Sequence, residues 1–318
     1  SASLLGIDAR PVTVEVDLAP GLPGLQLVGL ADTAIQESRE RVRAALRNSG
    51  FRGPLVKVVV NLAPADLRKE GPCFDLPIAL GLLIASGQLD SPCLQNLWSA
   101  GELGLDGHLR PCRGILAIAC LAKSQGARGL LVAAEDAAEA SLVKGLKVTA
   151  AASLKDLVNL LRAGDLVQTA ARPQHRAPRD QCAAGKRSAA PAPLNLPAQH
   201  LARQGLALAA AGSHHLLMVG PPGCGKTLLA QQLPALLPPL DDAEALEITR
   251  LHSIAGLPGK REGLMRQRPF RAPHHSASAA ALLGGGANPK PGELSLAHGG
   301  VLFLDELGEF PRAVLDQL

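Results

Sequence analysis

No two cysteines in this chain are spaced C-x-x-C. The six of them, Cys73, Cys93, Cys112, Cys120, Cys182 and Cys224, are scattered, which argues against both a zinc knuckle and a disulfide framework. They read as reduced thiols, mostly in the core. Long hydrophobic runs are also missing. The longest, FDLPIALGLLIASGQL from Phe74 to Leu89, is interrupted by Pro77 and falls short of the roughly 20 apolar residues that a bilayer span needs, so no membrane partner is expected. No basic segment precedes an apolar stretch at the amino end, so a secretory signal is not expected and the chain reads as cytoplasmic. A repeat of roughly 20 to 50 residues is absent too, which excludes a solenoid.

What is present is a chain of 318 residues, long enough for two domains at about 150 residues each. Its net charge of +4 is unevenly placed. Residues 1–165 hold 17 basic and 17 acidic side chains, residues 166–193 hold 5 and 1, and residues 194–318 hold 10 and 10. The middle segment also carries four prolines and no sustained apolar periodicity. It reads as an exposed basic linker whose charge adds at most a nonspecific attraction to polyanions.

Residues 1–165 alternate short apolar strands with helical stretches, the pattern of an α/β domain. PVTVEVDL and VKVVVNL read as strands around a helix from about Thr33 to Asn48, with a capping box of Thr33 and Gln36 and a stop at Asn48-Ser49-Gly50. An apolar helix after Asp75, strand-like WSAGELGL, the helix GILAIACLAKSQG, the strand GLLVAA and a helix near Leu154 to Leu161 follow. Arg39, Arg43 and Arg47 share one helix face and have the spacing to grip phosphates. Glu37 and Glu40 beside them favour a solvated surface.

Residues 194–318 carry the chemistry. GPPGCGKT, which is Gly220, Pro221, Pro222, Gly223, Cys224, Gly225, Lys226 and Thr227, fits G-x-x-x-x-G-K-[ST] between the apolar stretch LLMV, read as a strand, and LLAQQL, read as a helix. Glycines at 223 and 225 let the backbone bend so that its N–H groups face phosphate oxygens, and a helix start adds favourable dipole charge. Lys226 is expected on the β and γ phosphates of ATP and Thr227 on Mg2+. Cys224 sits in the loop without an assigned redox role. Downstream, VLFLDE reads as a buried strand ending in Asp305, to organise magnesium, and Glu306, to activate the attacking water.

Between these halves, Arg250 to Arg271 holds six basic residues and one acidic one. Arg261, Arg266, Arg268 and Arg271 are candidate contacts to a DNA backbone, against the plainer reading of an exposed charged loop. His274 and His275 lack a cysteine or carboxylate at ligand spacing and read as structural, with Ser276 capping the helix ASAAALL.

These residues resemble the ComM/YifB type of magnesium-chelatase-like AAA+ ATPases. The resemblance rests on VNLAPADLRKEG with FDLPIALG, AAAGSHHLLMVGPPGCGKT, RPFRAPHHSASAAALLGGG and PGELSLAHGGVLFLDELGEFPR, and it covers essentially the whole chain. It implies an α/β domain of Lon-protease-like fold at 1–165 and a AAA+ module at 194–318 that assembles as a homo-oligomeric ring, a hexamer. It further implies an ATP-driven motor on single-stranded or branched DNA, of the helicase or branch-migration kind, acting in natural transformation or recombination. The alternative is an ATPase that remodels a protein partner, as magnesium-chelatase subunits do.

A Lon-like fold raises proteolysis as a rival. Where such proteases carry a nucleophilic serine, this chain has Lys69-Glu70-Gly71-Pro72-Cys73, and where the partner lysine is expected it has Ile115-Leu116-Ala117 after Pro111-Cys112-Arg113-Gly114. A thiol without a base is a poor nucleophile, so Cys73 reads as structural and the domain as a binding or assembly module. Of the family's V-x-G-Q-like element near the adenine, Leu196-Pro197-Ala198-Gln199 keeps only the glutamine. The family's sensor strand, arginine finger and helical lid find no counterpart up to Leu318. An arginine finger is worth roughly 10³ to 10⁵ in rate, so the expectation is weak hydrolysis by this chain alone.

Overall fold

A computed structural model describes residues 1–53, 55–164, 200–257, 263–285 and 289–318. The expected linker, 166–193, lies outside the described residues, as do Leu196 to Gln199 and Arg261. The chain divides into two compact units, Ser1–Arg172 with His252–Gly263 and Pro173–Leu251 with Leu264–Leu318. Both are α/β.

The first unit opens with a hairpin of β1 (Ala2–Leu5) and β2 (Asp8–Pro11). Next come β3 (Thr13–Ala19), β4 (Gly24–Val28), α1 (Thr33–Asn48) and β5 (Lys57–Ala63). β5 lies between the other two, antiparallel to β3 and parallel to β4. Its alternation sets the core face: Val58, Val60 and Leu62 are buried while Lys57 is exposed. α1 lays Ile35, Val42, Ala45 and Leu46 into the same core, which leaves Arg39, Arg43 and Arg47 on the solvent side. Its cap differs from the expected Thr33 and Gln36 box. Asp32 is the N-cap, its carboxylate accepting the Ile35 N–H at 2.8 Å and the Gly71 N–H at 3.0 Å. A carboxylate one residue earlier satisfies a free amide of the first turn and ties the loop at Gly71 to it, which a threonine hydroxyl at 33 is too far into the helix to do.

α2 (Asp75–Ala85) is buried along almost its whole length, with Pro77 tolerated in its first turn. The Asp75 side chain is fully buried and held by Arg41, with Nε at 2.7 Å and Nη2 at 3.1 Å from its two oxygens, and by the Leu103 N–H at 3.2 Å. Burial pushes the Asp75 carboxyl above its usual range, with Arg41 and the Leu103 N–H pulling the other way.

The unit continues through β6 (Leu97–Ser99), β7 (Glu102–Leu103), β8 (Leu109–Arg110), α3 (Ile115–Ser124), β9 (Gly129–Ala133), α4 (Ala137–Ala140), β10 (Lys147–Ala151) and α5 (Leu154–Ala163). β9 is central to a parallel sheet in the order β10-β9-β6, and every one of its residues is buried. A continuous apolar run is what a strand covered on both faces requires. Cys73 lies in the main core, and burial pushes its thiol up to about 12. At neutral pH it is protonated and inert, as the sequence reading requires of a structural thiol. Burial likewise raises Cys112.

The second unit holds α6 (His200–Gly212), α7 (Lys226–Ala230), α8 (Leu233–Leu236), α9 (Asp242–Ala255) up to Leu251, β11 (Phe270–Arg271), α10 (Ala279–Leu283), α11 (Glu293–Leu296), β12 (Val301–Leu302) and α12 (Arg312–Leu315). β11 and β12 pair in parallel, and the Phe270 and Phe303 rings stack 5.9 Å apart. Gly300 makes that pairing possible, since a Cβ there would collide with the Pro269 carbonyl oxygen.

Two expectations are corrected here. LLMV, 216–219, is not a strand, and Leu217 and Val219 are 73% and 90% exposed. VLFLDE forms strand only at Val301–Leu302 and is half-buried rather than buried up to Leu304. A parallel strand draws its stability from paired neighbours and two covered faces, and among the described residues none pairs with 216–219 and only β11 pairs with β12. Among the described residues no helix is long and apolar enough to cross a membrane.

Candidate functional site

Residues 220–225 form a loop, exposed at 220–223 and half-buried at 224–225, that enters α7 through Gly225, at φ +86°. Gly223 is also left-handed, at φ +77°. Both conformations are open to glycine and strained for a side chain, which is why the motif has glycine at these two places. The expected helix LLAQQL is broken: α7 ends at Ala230 and α8 begins at Leu233, with Gln231 and Gln232 between them. Lys226 stands at the first position of α7, and its Nζ donates to the carbonyl oxygens of Gly220 at 2.9 Å and Pro221 at 3.0 Å. Its ammonium is thus held over the loop whose amides would face a phosphate.

The next residue joins the two halves of the site. Thr227 Oγ1 donates to Asp305 Oδ2 at 3.3 Å across 78 positions of sequence. Asp305 follows β12 directly enough to sit just past its carboxyl end, where ligands bind in parallel α/β sheets. Its other oxygen accepts the Glu306 N–H at 3.1 Å. Glu306 itself has φ 54° and ψ 53°, a left-handed backbone unusual for a residue with a side chain. A hydroxyl and a carboxylate at this distance suit magnesium, which takes hard oxygen donors and keeps several of its waters. No cluster of three or more His, Cys, Asp or Glu is poised for a metal among the described residues. Loop, lysine, hydroxyl and carboxylate therefore fit ATP with Mg2+.

The candidate DNA contacts fare differently from one another. Arg271 is bound in a fork to Glu293, at 2.6 and 2.7 Å, and this pairing raises its pKa. Arg268 reaches the carbonyl oxygens of Pro238 and Gly299, each at 2.6 Å, with Glu244 at 3.5 Å. Arg271 thus ties β11 to α11, and Arg268 ties its own segment to the loops at Pro238 and Gly299. Arg266 pairs with Asp242 at 2.7 Å, both side chains more than half exposed, and so remains open to exchange partners. Arg261 lies outside the described residues.

The histidine pair is placed in a way the sequence reading missed. Ser278, rather than Ser276, caps α10 by accepting the Ala281 N–H. Ser276 instead bonds His274 Nδ1 at 2.8 Å. His275 Nδ1 lies 3.2 Å from Glu306 Oε2. Adjacency to a strand that pairs with β12 was the available signal, and it becomes visible only once β11 is placed.

A glycine loop ending in Lys-Thr, set against an acidic pair at the end of a parallel strand, defines a P-loop nucleotide-binding protein. Residues 195–318 match the family described as magnesium chelatase, subunit ChlI, and residues 14–136 match the one described as subunit ChlI of Mg-chelatase. The chain is 46% identical over 321 residues to the competence protein ComM of Haemophilus influenzae, covering all of this chain and 61% of that protein. It is 45% identical over 314 residues to YifB of Escherichia coli, covering 99% of this chain and 60% of that one. The chain belongs to the ComM/YifB family of magnesium-chelatase-like AAA+ ATPases, and it spans about 60% of the length of the curated relatives it matches.

Proposed function

We propose that this chain contributes the nucleotide site of an ATP-driven motor acting on DNA, assembled as a homo-oligomeric ring, a hexamer, and serving recombination or the uptake of transforming DNA. The observation that carries the ATPase part is the Thr227–Asp305 contact. Two sequence segments remote from each other converge on one point with the donor types that ATP and Mg2+ require. Magnesium, when bound, neutralises phosphate charge. Lys226 would hold the β and γ phosphates, the loop amides of 220–225 would orient them, and Glu306 would take the proton of the attacking water.

The DNA part rests on the name of one relative, a competence protein, and on the basic stretch from Arg250 to Arg271. A second reading, an ATPase that remodels a protein partner, is favoured by a specific observation. Arg268 and Arg271 are committed to internal contacts, which leaves less free charge for a phosphate backbone. The two readings part on ATPase stimulation by single-stranded or forked DNA in the full-length protein. The motor reading expects stimulation that declines with added salt, because counterions are released when phosphates are contacted. No stimulation, together with a protein partner that does stimulate, would replace it with the remodelling reading.

A further inference from the structure

β4 is an edge strand. Among the described residues it pairs with β5 alone, in the order β3-β5-β4, so the backbone N–H and C=O groups on its outer side have no strand to bond. Soluble proteins blunt such edges with charge, with proline or with a covering segment. The stretch GLQLV has neither charge nor proline. Apolar side chains on it and beside it stand open, Leu22 at 89%, Val28 at 43% and Leu30 at 56% exposure.

Between the start of β4 and α1 lies a cavity of about 370 Å³. Its apolar lining is Leu25, Leu46, Val58 and Leu82, the last three almost fully buried. Arg43 and Arg47, one helical turn apart on the exposed face of α1, flank that lining. Among the described residues neither arginine takes part in an ion pair: Glu37 pairs with Arg41, and Glu40, which also lines the cavity, pairs with neither.

An apolar floor beneath two unpaired guanidinium groups suits a ligand that sets an apolar group beside an anion. The open edge next to it suits a ligand with a peptide backbone, since a strand added to an edge takes its affinity from main-chain bonds and its specificity from side-chain pockets. Alternate side chains of an added strand share a face. The matching face of β4 is that of Leu25 and Leu27, which pack toward the core. A single-stranded nucleic acid fits less well, because its bases are held by stacking on aromatic rings and none of the described residues lining the cavity is aromatic.

The geometry points to a peptide-docking site on the first unit: an extended segment of a partner protein adds to the free edge of β4, with an apolar side chain in the cavity and a carboxylate two residues along on Arg43 and Arg47. The site shares no residue with the nucleotide loop.

Panning a random-peptide phage library on the full-length protein tests it. Enriched peptides are expected to carry Asp or Glu two positions from a large apolar residue. Measured by fluorescence polarisation, their affinity should fall by about tenfold or more in the double variant Arg43→Gln, Arg47→Gln, the scale of charge-assisted hydrogen bonds. Ala44→Leu, a helix-compatible change that fills the cavity, should weaken them comparably. In the wild-type protein the bound peptide should slow hydrogen exchange at the amides of Gly24–Val28, a measurement that needs no variant and so decides the matter even if a substitution fails to fold. No enrichment, enriched peptides indifferent to both arginines, or protection confined to another region would overturn the inference. Binding of a single-stranded oligothymidylate that is lost in the double variant, with no peptide enriched, would assign the arginines to nucleic acid instead.

Discussion

The two units of the chain are built on opposite economies of burial. In the first, Phe74, Leu62, Ile35, Leu131 and Leu157 belong to one contiguous core that takes in strands from both of its three-stranded sheets. In the second, Leu240, Ala245 and Ile248 form one small cluster and Leu282, Phe310 and Val314 another, while leucines and a valine beside the glycine loop stand in solvent. The first unit is fixed by packing and carries no assigned chemistry. The second carries all of the candidate chemistry on few buried groups, with its site held by hydrogen bonds from the first turn of α7 to loop residues.

The difference can be broken most sharply by truncating matched apolar groups. Phe74→Ala, at a fully buried position, is expected to cost about 3–5 kcal/mol. Leu217→Ala, at 73% exposure, should stay within about 0.5 kcal/mol. Urea denaturation of the two variants checks both, and equal costs would mean that the second unit buries Leu217 in solution. Arg41→Met comes next. It leaves the Asp75 carboxylate buried beside a single backbone donor, at a cost on the order of 3 kcal/mol at pH 7. With the guanidinium gone, the carboxyl rises further above its usual range, so the folded state holds its proton more tightly than the unfolded chain does. Stability contributed by that group then grows as pH falls toward the unfolded carboxylate value of about 3.9. Denaturation of wild type and variant at two pH values should show the deficit shrinking in acid.

How legible each unit was in the sequence follows from the same contrast. In the first, α1, α2, α3, β5 and β9 follow the apolar periodicity, because packing against one core imposes it. β10 is not legible from pattern, since KVTAA is short and only weakly apolar, nor is β4, because GLQLV lies on a half-exposed edge. In the second, the site was legible and the scaffold was not. Gly225, Lys226, Thr227 and Asp305 came from the motif, and the structure brings Thr227 to Asp305. LLMV read as a strand because four apolar residues look alike with or without a partner. The contact of His275 with Glu306 depends on β11 lying beside β12, a long-range pairing that local pattern does not encode.

Smaller effects sharpen the comparison within the second unit. Gly225→Ala places a side chain at φ +86°, which should cost roughly 1–2 kcal/mol and weaken nucleotide binding while leaving the first unit's unfolding unchanged. Differential scanning calorimetry and nucleotide titration would separate the two consequences. Arg266→Ala removes an exposed ion pair and should alter stability by no more than about 0.5 kcal/mol. If DNA is the substrate, it should also reduce the salt dependence of DNA binding by about one phosphate contact. Arg271→Ala, in contrast, should act through lost stability by releasing Glu293.

The central claim is that the loop 220–227 and the acidic pair at 305–306 form one magnesium-dependent ATP site. Titration of the chain with ATP, with and without Mg2+, alongside Lys226→Ala, tests it most directly. The account predicts saturable binding that Mg2+ strengthens and that Lys226→Ala weakens by about 10²-fold or more, the scale on which a charged phosphate clamp contributes. Binding that is indifferent to both magnesium and Lys226 would contradict it.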